Sequence, residues 1–224
     1  MGERPYVVLS CAVSVDGYLD DTGPERLMLS SEADLERVDE VRASVDAILV
    51  GANTVRADDP RLVLRSAARQ AAREARGRTP DPVKVTVTRT GELDPGSRFF
   101  TVGYADKLVY AASGAVHKLR ANLNGIATVI DAGEPPRLRP LLADLADRGV
   151  ARLMVEGGAG VLGWFLTERV ADELQLVIAP IFVGDPAAPH WLRDGVPPQR
   201  VELAETRQLG DCVLLRYLLE PRDG

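Results

Sequence analysis

The chain has 224 residues, 46% of them hydrophobic, and a formal net charge of −6. No proline- or serine-rich linker divides it, so one domain is expected over 1–224, with its core at about 6–219. An acidic balance argues against nucleic acid, whose backbone would be repelled at long range. No apolar run reaches the ~20 residues that a membrane span needs. Met1-Gly2-Glu3-Arg4-Pro5 lacks the charged-then-apolar layout of a signal peptide, so no membrane association and a cytoplasmic location are expected. Cys11 and Cys212 fall in separate apolar strand patterns and read as buried free thiols. His117 and His190 lie near neither cysteine, and without HxE or CxxC spacing no metal site is expected.

In chain order, Tyr6 to Val13 reads as a buried strand that Ser14-Val15-Asp16-Gly17-Tyr18 ends with turn chemistry. Ser31 can cap a helix while Asp34 supplies the reciprocal acid, and Leu35, Val38, Val41 and Val45 follow at helical spacing. Asp46 to Gly51 is a short strand, and Ala52 to Pro60 a short helical or looped segment at its carboxyl end, where ligands of open α/β sheets collect. Ser66 to Pro82, with Arg69, Arg73, Arg76 and Arg78, lacks a core-forming stripe and reads as a solvated helix or mobile excursion. Strands recur at Val83 to Thr88, Lys107 to Ala111 and Ala127 to Ile130, with helices over Ala115 to Asn122 and around Leu138 to Leu145. The last apolar runs, Glu173 to Ile178, Val201 to Leu209 and Cys212 to Leu219, are joined without helices. The end of the sheet is therefore antiparallel. The class is α/β.

The most informative stretch is Val155-Glu156-Gly157-Gly158-Ala159-Gly160-Val161-Leu162-Gly163, an apolar strand ending in one carboxylate, a glycine cluster and a helix start. Glycines let the backbone turn tightly and bring N–H groups against an anion, toward which the helix dipole points its positive end. The spacing is not GxGxxG, so a glycine-rich turn serving strand-helix packing remains open.

Taken with Ser14-Val15-Asp16-Gly17, the run Gly51 to Arg65 containing Ala57-Asp58-Asp59-Pro60, and Asp172-Glu173-Leu174, this stretch resembles the pyrimidine reductases of riboflavin biosynthesis, free-standing or fused to a deaminase. The resemblance runs from Tyr6 to about Tyr217. It implies a dihydrofolate-reductase-like fold with a mixed, mostly parallel sheet, NADPH as hydride donor, a homodimer, and a ribosylaminopyrimidine 5′-phosphate substrate. The reaction implied reduces ribose C1′ of the ring-opened imine to a ribitylamino product.

The resemblance also implies residue roles. Thr54 and Asp58 match cofactor contacts, as do Val13, Thr88 and Arg89, the last a candidate for the 2′-phosphate. Gly158, Ala159, Gly160, Val161, Leu162 and Gly163 correspond to the cofactor loop. Arg42, Leu62 and Arg65 match substrate positions, where a guanidinium fork suits the 5′-phosphate. Arg26 stands where many relatives have a small polar residue and could add to that grip. Met28 replaces an aromatic. Glu156 matches a substrate-contacting glutamate, and a charged carboxylate there opposes a developing cation rather than acting as general acid. Asp16 reads as a turn residue, and Asp172 and Glu173 as ordering the start of a strand. Two rivals stand beside this reading: reduction of another pterin- or pyrimidine-like compound, and a catalytically idle nucleotide-binding subunit supporting a separate deaminase.

Overall fold

The computed structural model describes residues 4–192 and 195–220. They contain nine strands, β1 (Tyr6–Ser14), β2 (Ala47–Gly51), β3 (Val83–Thr88), β4 (Lys107–Ala111), β5 (Thr128–Asp131), β6 (Arg152–Val155), β7 (Glu173–Ala179), β8 (Val201–Leu209) and β9 (Cys212–Leu219). The helices are α1 (Glu32–Ser44), α2 (Ala52–Asp58), α3 (Ala67–Glu74), α4 (Arg98–Thr101), α5 (Ser113–Asn122), α6 (Leu138–Asp147) and α7 (Ala159–Glu168). Two compact units emerge, one formed mainly by Asp39–Met154 and the other by Tyr6–Val38 with the chain from Val155 onward. No helix among the described residues is long and apolar enough to cross a membrane.

The unit of Asp39–Met154 carries strands in the order β5-β4-β3-β2-β6. The pairs β2–β3, β3–β4 and β4–β5 are parallel. Such strands are covered on both faces and so read as continuous apolar runs, which is why AILVG of β2 is buried at every position. Their register sets Gly51 opposite Val87, Thr88 opposite Ala111, and Ala111 opposite Asp131, so the carboxyl ends form one row. Lys84 is fully buried on β3 and donates to Phe99 O (3.1 Å) and Val102 O (2.6 Å) at the end of α4. Burial pushes its ammonium down to about 8.

The arginine-rich stretch forms the expected solvated helix, α3, exposed or half-buried at every position but one. Arg73, on α3, is 3% exposed and donates to Ala43 O (3.0 Å), Val45 O (2.6 Å) and Thr79 O (2.9 Å). It thereby satisfies carbonyls that the end of α1 leaves without helical partners. Arg69 pairs with Asp39, and Arg78 with Asp46.

The second unit orders its strands β1-β7-β9-β8. β1 and β7 are parallel, while β7–β9 and β9–β8 are antiparallel, as the helix-free connections imply. Leu29, Val177, Ala179, Leu209, Cys212 and Leu214 form an apolar cluster here. Cys11 and Cys212 are buried free thiols, and burial raises Cys11 to about 12. The outer strand β8 is exposed at most positions on both faces, including Val201 and Leu203. The Ser31 cap forms, with its hydroxyl accepting from Asp34 N (3.2 Å), but the reciprocal half differs. The Asp34 carboxylate accepts from Arg37 Nε (2.8 Å), because a buried guanidinium needs the charge more than a helix end does.

Candidate functional site

Within the Asp39–Met154 unit, the predicted cofactor residues lie at or just after the carboxyl ends of β2 and β3. Thr54, half-buried, lies in the first turn of α2 directly after β2, and Asp58, also half-buried, closes that helix. Thr88 ends β3 and is buried, its hydroxyl accepting from Gly91 N (3.0 Å), while Arg89 beside it is exposed. After α2 the chain turns through Asp59 (φ 43) and Leu62 (φ 46), two non-glycine residues in left-handed backbone. Asp59 uses the turn to hold α4, accepting from Arg98 N (2.5 Å) and Arg98 Nε (3.0 Å).

From Arg61 to Arg65 no regular structure forms, and burial alternates, with Leu62 at 2% and Leu64 at 4% exposed while Arg61 and Arg65 face outward. Leu62 is thus a core residue of this loop, and what it can offer a ligand is main chain. Arg42, half-buried in the last turn of α1, reaches the same loop and donates to Val63 O (3.2 Å). Arg42, Leu62 and Arg65 are therefore brought together.

Two residues that no sequence argument singled out hold this loop. Asp39, 1% exposed, accepts from Arg65 N (2.6 Å), Ser66 N (3.2 Å) and Arg69 Nη1 (2.9 Å). Asp81, 4% exposed, accepts from Leu64 N (2.8 Å) and Gln70 Nε2 (3.4 Å). Asp39 lies one helical turn before Arg42 on α1, which was the only available signal, and an acid there reads as solvated.

The second unit resumes at Val155, the last residue of β6 and fully buried, followed by half-buried Glu156. Gly157 (φ 100) and Gly158 (φ 76) turn the chain through backbone that L side chains rarely adopt, and Gly158 caps α7 without a side-chain hydrogen bond. A Cβ at Gly157 would meet nothing within 4 Å, so conformation rather than crowding demands glycine there. Val161 N (2.9 Å) and Leu162 N (3.1 Å) donate to Gly158 O, their side chains are buried, and Gly163 is buried in the helix interior. Ala159 and exposed Gly160 form the open first turn. The glycines thus serve two structural ends, a tight turn at 157–158 and a buried helix position at 163.

Val13, 3% exposed, lies near the end of β1. Arg26 and Met28 are exposed in the irregular segment before α1, Met28 at 73%. Asp16 is a turn residue with longer reach than its motif implies: it accepts from Ser14 Oγ (2.6 Å), Val183 N (3.1 Å) and Gly184 N (2.7 Å). Those bonds, the Ser14 hydroxyl chief among them, hold its carboxyl down at about 2. Asp172 accepts from Val7 N (2.7 Å), and Glu173 binds Arg216 through both oxygens (2.8 and 3.0 Å), so both order strands.

A family model described as the RibD C-terminal domain matches residues 5–215. The chain belongs to that family. Among curated relatives, the 2,5-diamino-6-ribosylamino-4(3H)-pyrimidinone 5′-phosphate reductase of Archaeoglobus fulgidus is 36% identical over 83% of this chain and 85% of its own. The protein of that name from Methanothermobacter thermautotrophicus is 34% identical over 97% of this chain and 99% of its own. The riboflavin biosynthesis protein RibD of Bacillus amyloliquefaciens is 30% identical over 98% of this chain, which spans 58% of that longer protein. Among solved structures, a pyrimidine reductase-like protein from Corynebacterium diphtheriae superposes with a TM-score of 0.81 at 20% identity, covering 97% of this chain and 93% of that one. The Saccharomyces cerevisiae riboflavin biosynthesis reductase Rib7 gives 0.74 at 21% identity over 98% and 92%. The RibD family fold is thus that of the expected α/β class.

Proposed function

We propose that this chain is an NADPH-dependent reductase of a 5-amino-6-(5-phosphoribosylamino)pyrimidine, in the uracil or diaminopyrimidinone form, acting in riboflavin biosynthesis as a single reductase domain. The observation that carries this is end-to-end similarity, 34% identity over 97% of this chain and 99% of a relative that bears the reductase name. Idle nucleotide binding is the weaker reading, because a scaffold has no use for Thr54, Asp58, Arg65 and Glu156 together.

NADPH supplies the hydride when bound. The Gly157–Gly158 turn and the uncapped start of α7 suit its pyrophosphate, since a cap side chain there would compete with the anion for the same N–H groups. Within that loop Ala159 and Gly160 offer main chain to the pyrophosphate, while Val161, Leu162 and Gly163 support the turn. Thr54 and Asp58 offer a hydroxyl and a carboxylate to the nicotinamide end, Val13 a wall, and Thr88 and Arg89 the adenosine end. Arg65 and Arg42, with Arg26 as an added cation, grip the 5′-phosphate, and Leu62 shapes that loop. Glu156 opposes positive charge as the ring-opened imine forms at C1′. The assembly is a homodimer in the cytoplasm. The exposed strand β8 supports an assembly, since an outer strand presents unpaired main chain.

Purified protein incubated with the diaminopyrimidinone and the uracil substrate in turn should oxidise NADPH, followed by loss of the reduced cofactor's absorbance, and should favour NADPH over NADH. No oxidation with either substrate overturns the reading. Glu156→Gln keeps the shape but removes the charge. It should lower kcat roughly ten- to a hundredfold, the effect of ~1.5–3 kcal/mol for a charge-assisted contact. A change within about twofold in both kcat and KM removes the electrostatic role.

A further inference from the structure

We propose that Asp39 is a positioning residue for the substrate phosphate, acting through the main chain of the Arg65 loop. The inference rests on the reading of Arg65 as a phosphate ligand. The segment Arg61 to Arg65 has no helix or strand ladder to fix it, and it contains Leu62 at φ 46, a left-handed conformation that a leucine holds only where its surroundings over-determine it. The determinants are visible. Leu62 and Leu64 are buried, Arg42 holds Val63 O, Asp81 holds Leu64 N at 2.8 Å, and Asp39 holds Arg65 N at 2.6 Å and Ser66 N at 3.2 Å. Asp39 is the anchor on Arg65 itself.

A carboxylate is required by the geometry. The donors from Arg65 and Ser66 approach different oxygens, and Arg69 Nη1 adds a third at 2.9 Å on the second oxygen. An amide has one acceptor oxygen, so in Asp39→Asn its NH2 would face at least one N–H donor. The Arg65 backbone would lose its fixed direction, and the outward guanidinium would be released from a preset position. Preorganisation of this kind acts on binding, because ordering the loop becomes a cost of each association.

The test is steady-state kinetics with NADPH and 2,5-diamino-6-ribosylamino-4(3H)-pyrimidinone 5′-phosphate on wild type, Asp39→Asn, Arg65→Ala and the double variant. Asp39→Asn should raise the KM for the pyrimidine by about tenfold, leave kcat and the KM for NADPH within about twofold, and add nothing once Arg65 is alanine. A general structural role would lower kcat and persist in the Arg65→Ala background, and either that result or an unchanged KM in Asp39→Asn overturns the proposal. An Arg65→Ala protein with unchanged KM instead overturns the phosphate reading itself, a distinguishable failure. If Asp39→Asn does not fold, Asp81→Ala, which removes the only carboxylate oxygen that Leu64 N and Gln70 Nε2 share in the same loop, takes its place in the cycle with the same expected split.

Discussion

In the unit around Asp39–Met154, buried charged side chains face main chain, whereas in the unit built from β1, α7 and β7–β9 they face one another. Arg73 and Lys84 bond to C=O groups of loops and helix ends, and Asp39 and Asp81 take their shortest bonds from backbone N–H groups, with Arg69 and Gln70 added. Arg37 instead donates to Asp34, Gln175 and Ser10, and Gln175 leads on to Glu173, which Arg216 and Tyr6 also reach. Backbone-directed charges fix irregular segments that carry outward side chains. Charges directed at each other fix how α1 lies on β1 and β7, and their energetic stakes are higher, because an orphaned carboxylate costs more than an orphaned carbonyl.

The largest effect should therefore come from Arg37→Met. Arg37 is 4% and Asp34 1% exposed, so methionine fills the volume but leaves a buried carboxylate uncompensated. Breaking such a pair costs about 3–5 kcal/mol, read from urea unfolding. A double variant Arg37→Met/Asp34→Leu should recover most of it. If the single variant loses under about 1 kcal/mol, the side-chain network is not the stabilising element that the contrast requires.

Arg73→Met should cost less, about 2 kcal/mol, because what it orphans are the carbonyls of Ala43, Val45 and Thr79 rather than a charge. Equal losses for the two arginines would erase the distinction.

The strands of both units were legible because their signal is local: Lys107–Ala111 and Cys212–Leu219 follow mainly apolar runs, and Val83–Thr88 alternates valine with polar residues between its bounds. The glycine turn was legible too, since two consecutive glycines after an apolar run announce positive φ. Helix α4 was not, as four residues hold no periodicity and Phe99 and Phe100 are buried by position alone. Nor was the role of Arg73. Composition marks an alanine- and arginine-rich stretch as solvated, and only the approach of the end of α1 turns one guanidinium inward. Asp39 and Asp81 were hidden for the same reason: a carboxylate's partners here are main-chain N–H groups far along the chain, which have no sequence identity to match.

The smallest expected effect tests whether the backbone-directed kind of charge, when only half-buried, acts only locally. Asp16 accepts from Ser14 Oγ, Val183 N and Gly184 N, and so ties the turn after β1 to the segment after β7. Its folded pKa is about 2 against an ordinary 3.8, lowered first by the Ser14 hydroxyl. A depressed carboxyl stabilises the fold above its unfolded value and loses that contribution as pH falls through the folded one. The advantage of wild type over Asp16→Asn should therefore be flat from neutral pH down to about 5, shrink progressively below that as pH passes 3.8, and be nearly gone by about 2. Amide hydrogen exchange should show the variant's faster opening confined to Val183, Gly184 and their neighbours, with the urea midpoint little changed. Loss of protection throughout β1 and β7 would mean that this half-buried carboxylate carries global stability, and full burial would then not be what separates the two uses of charge.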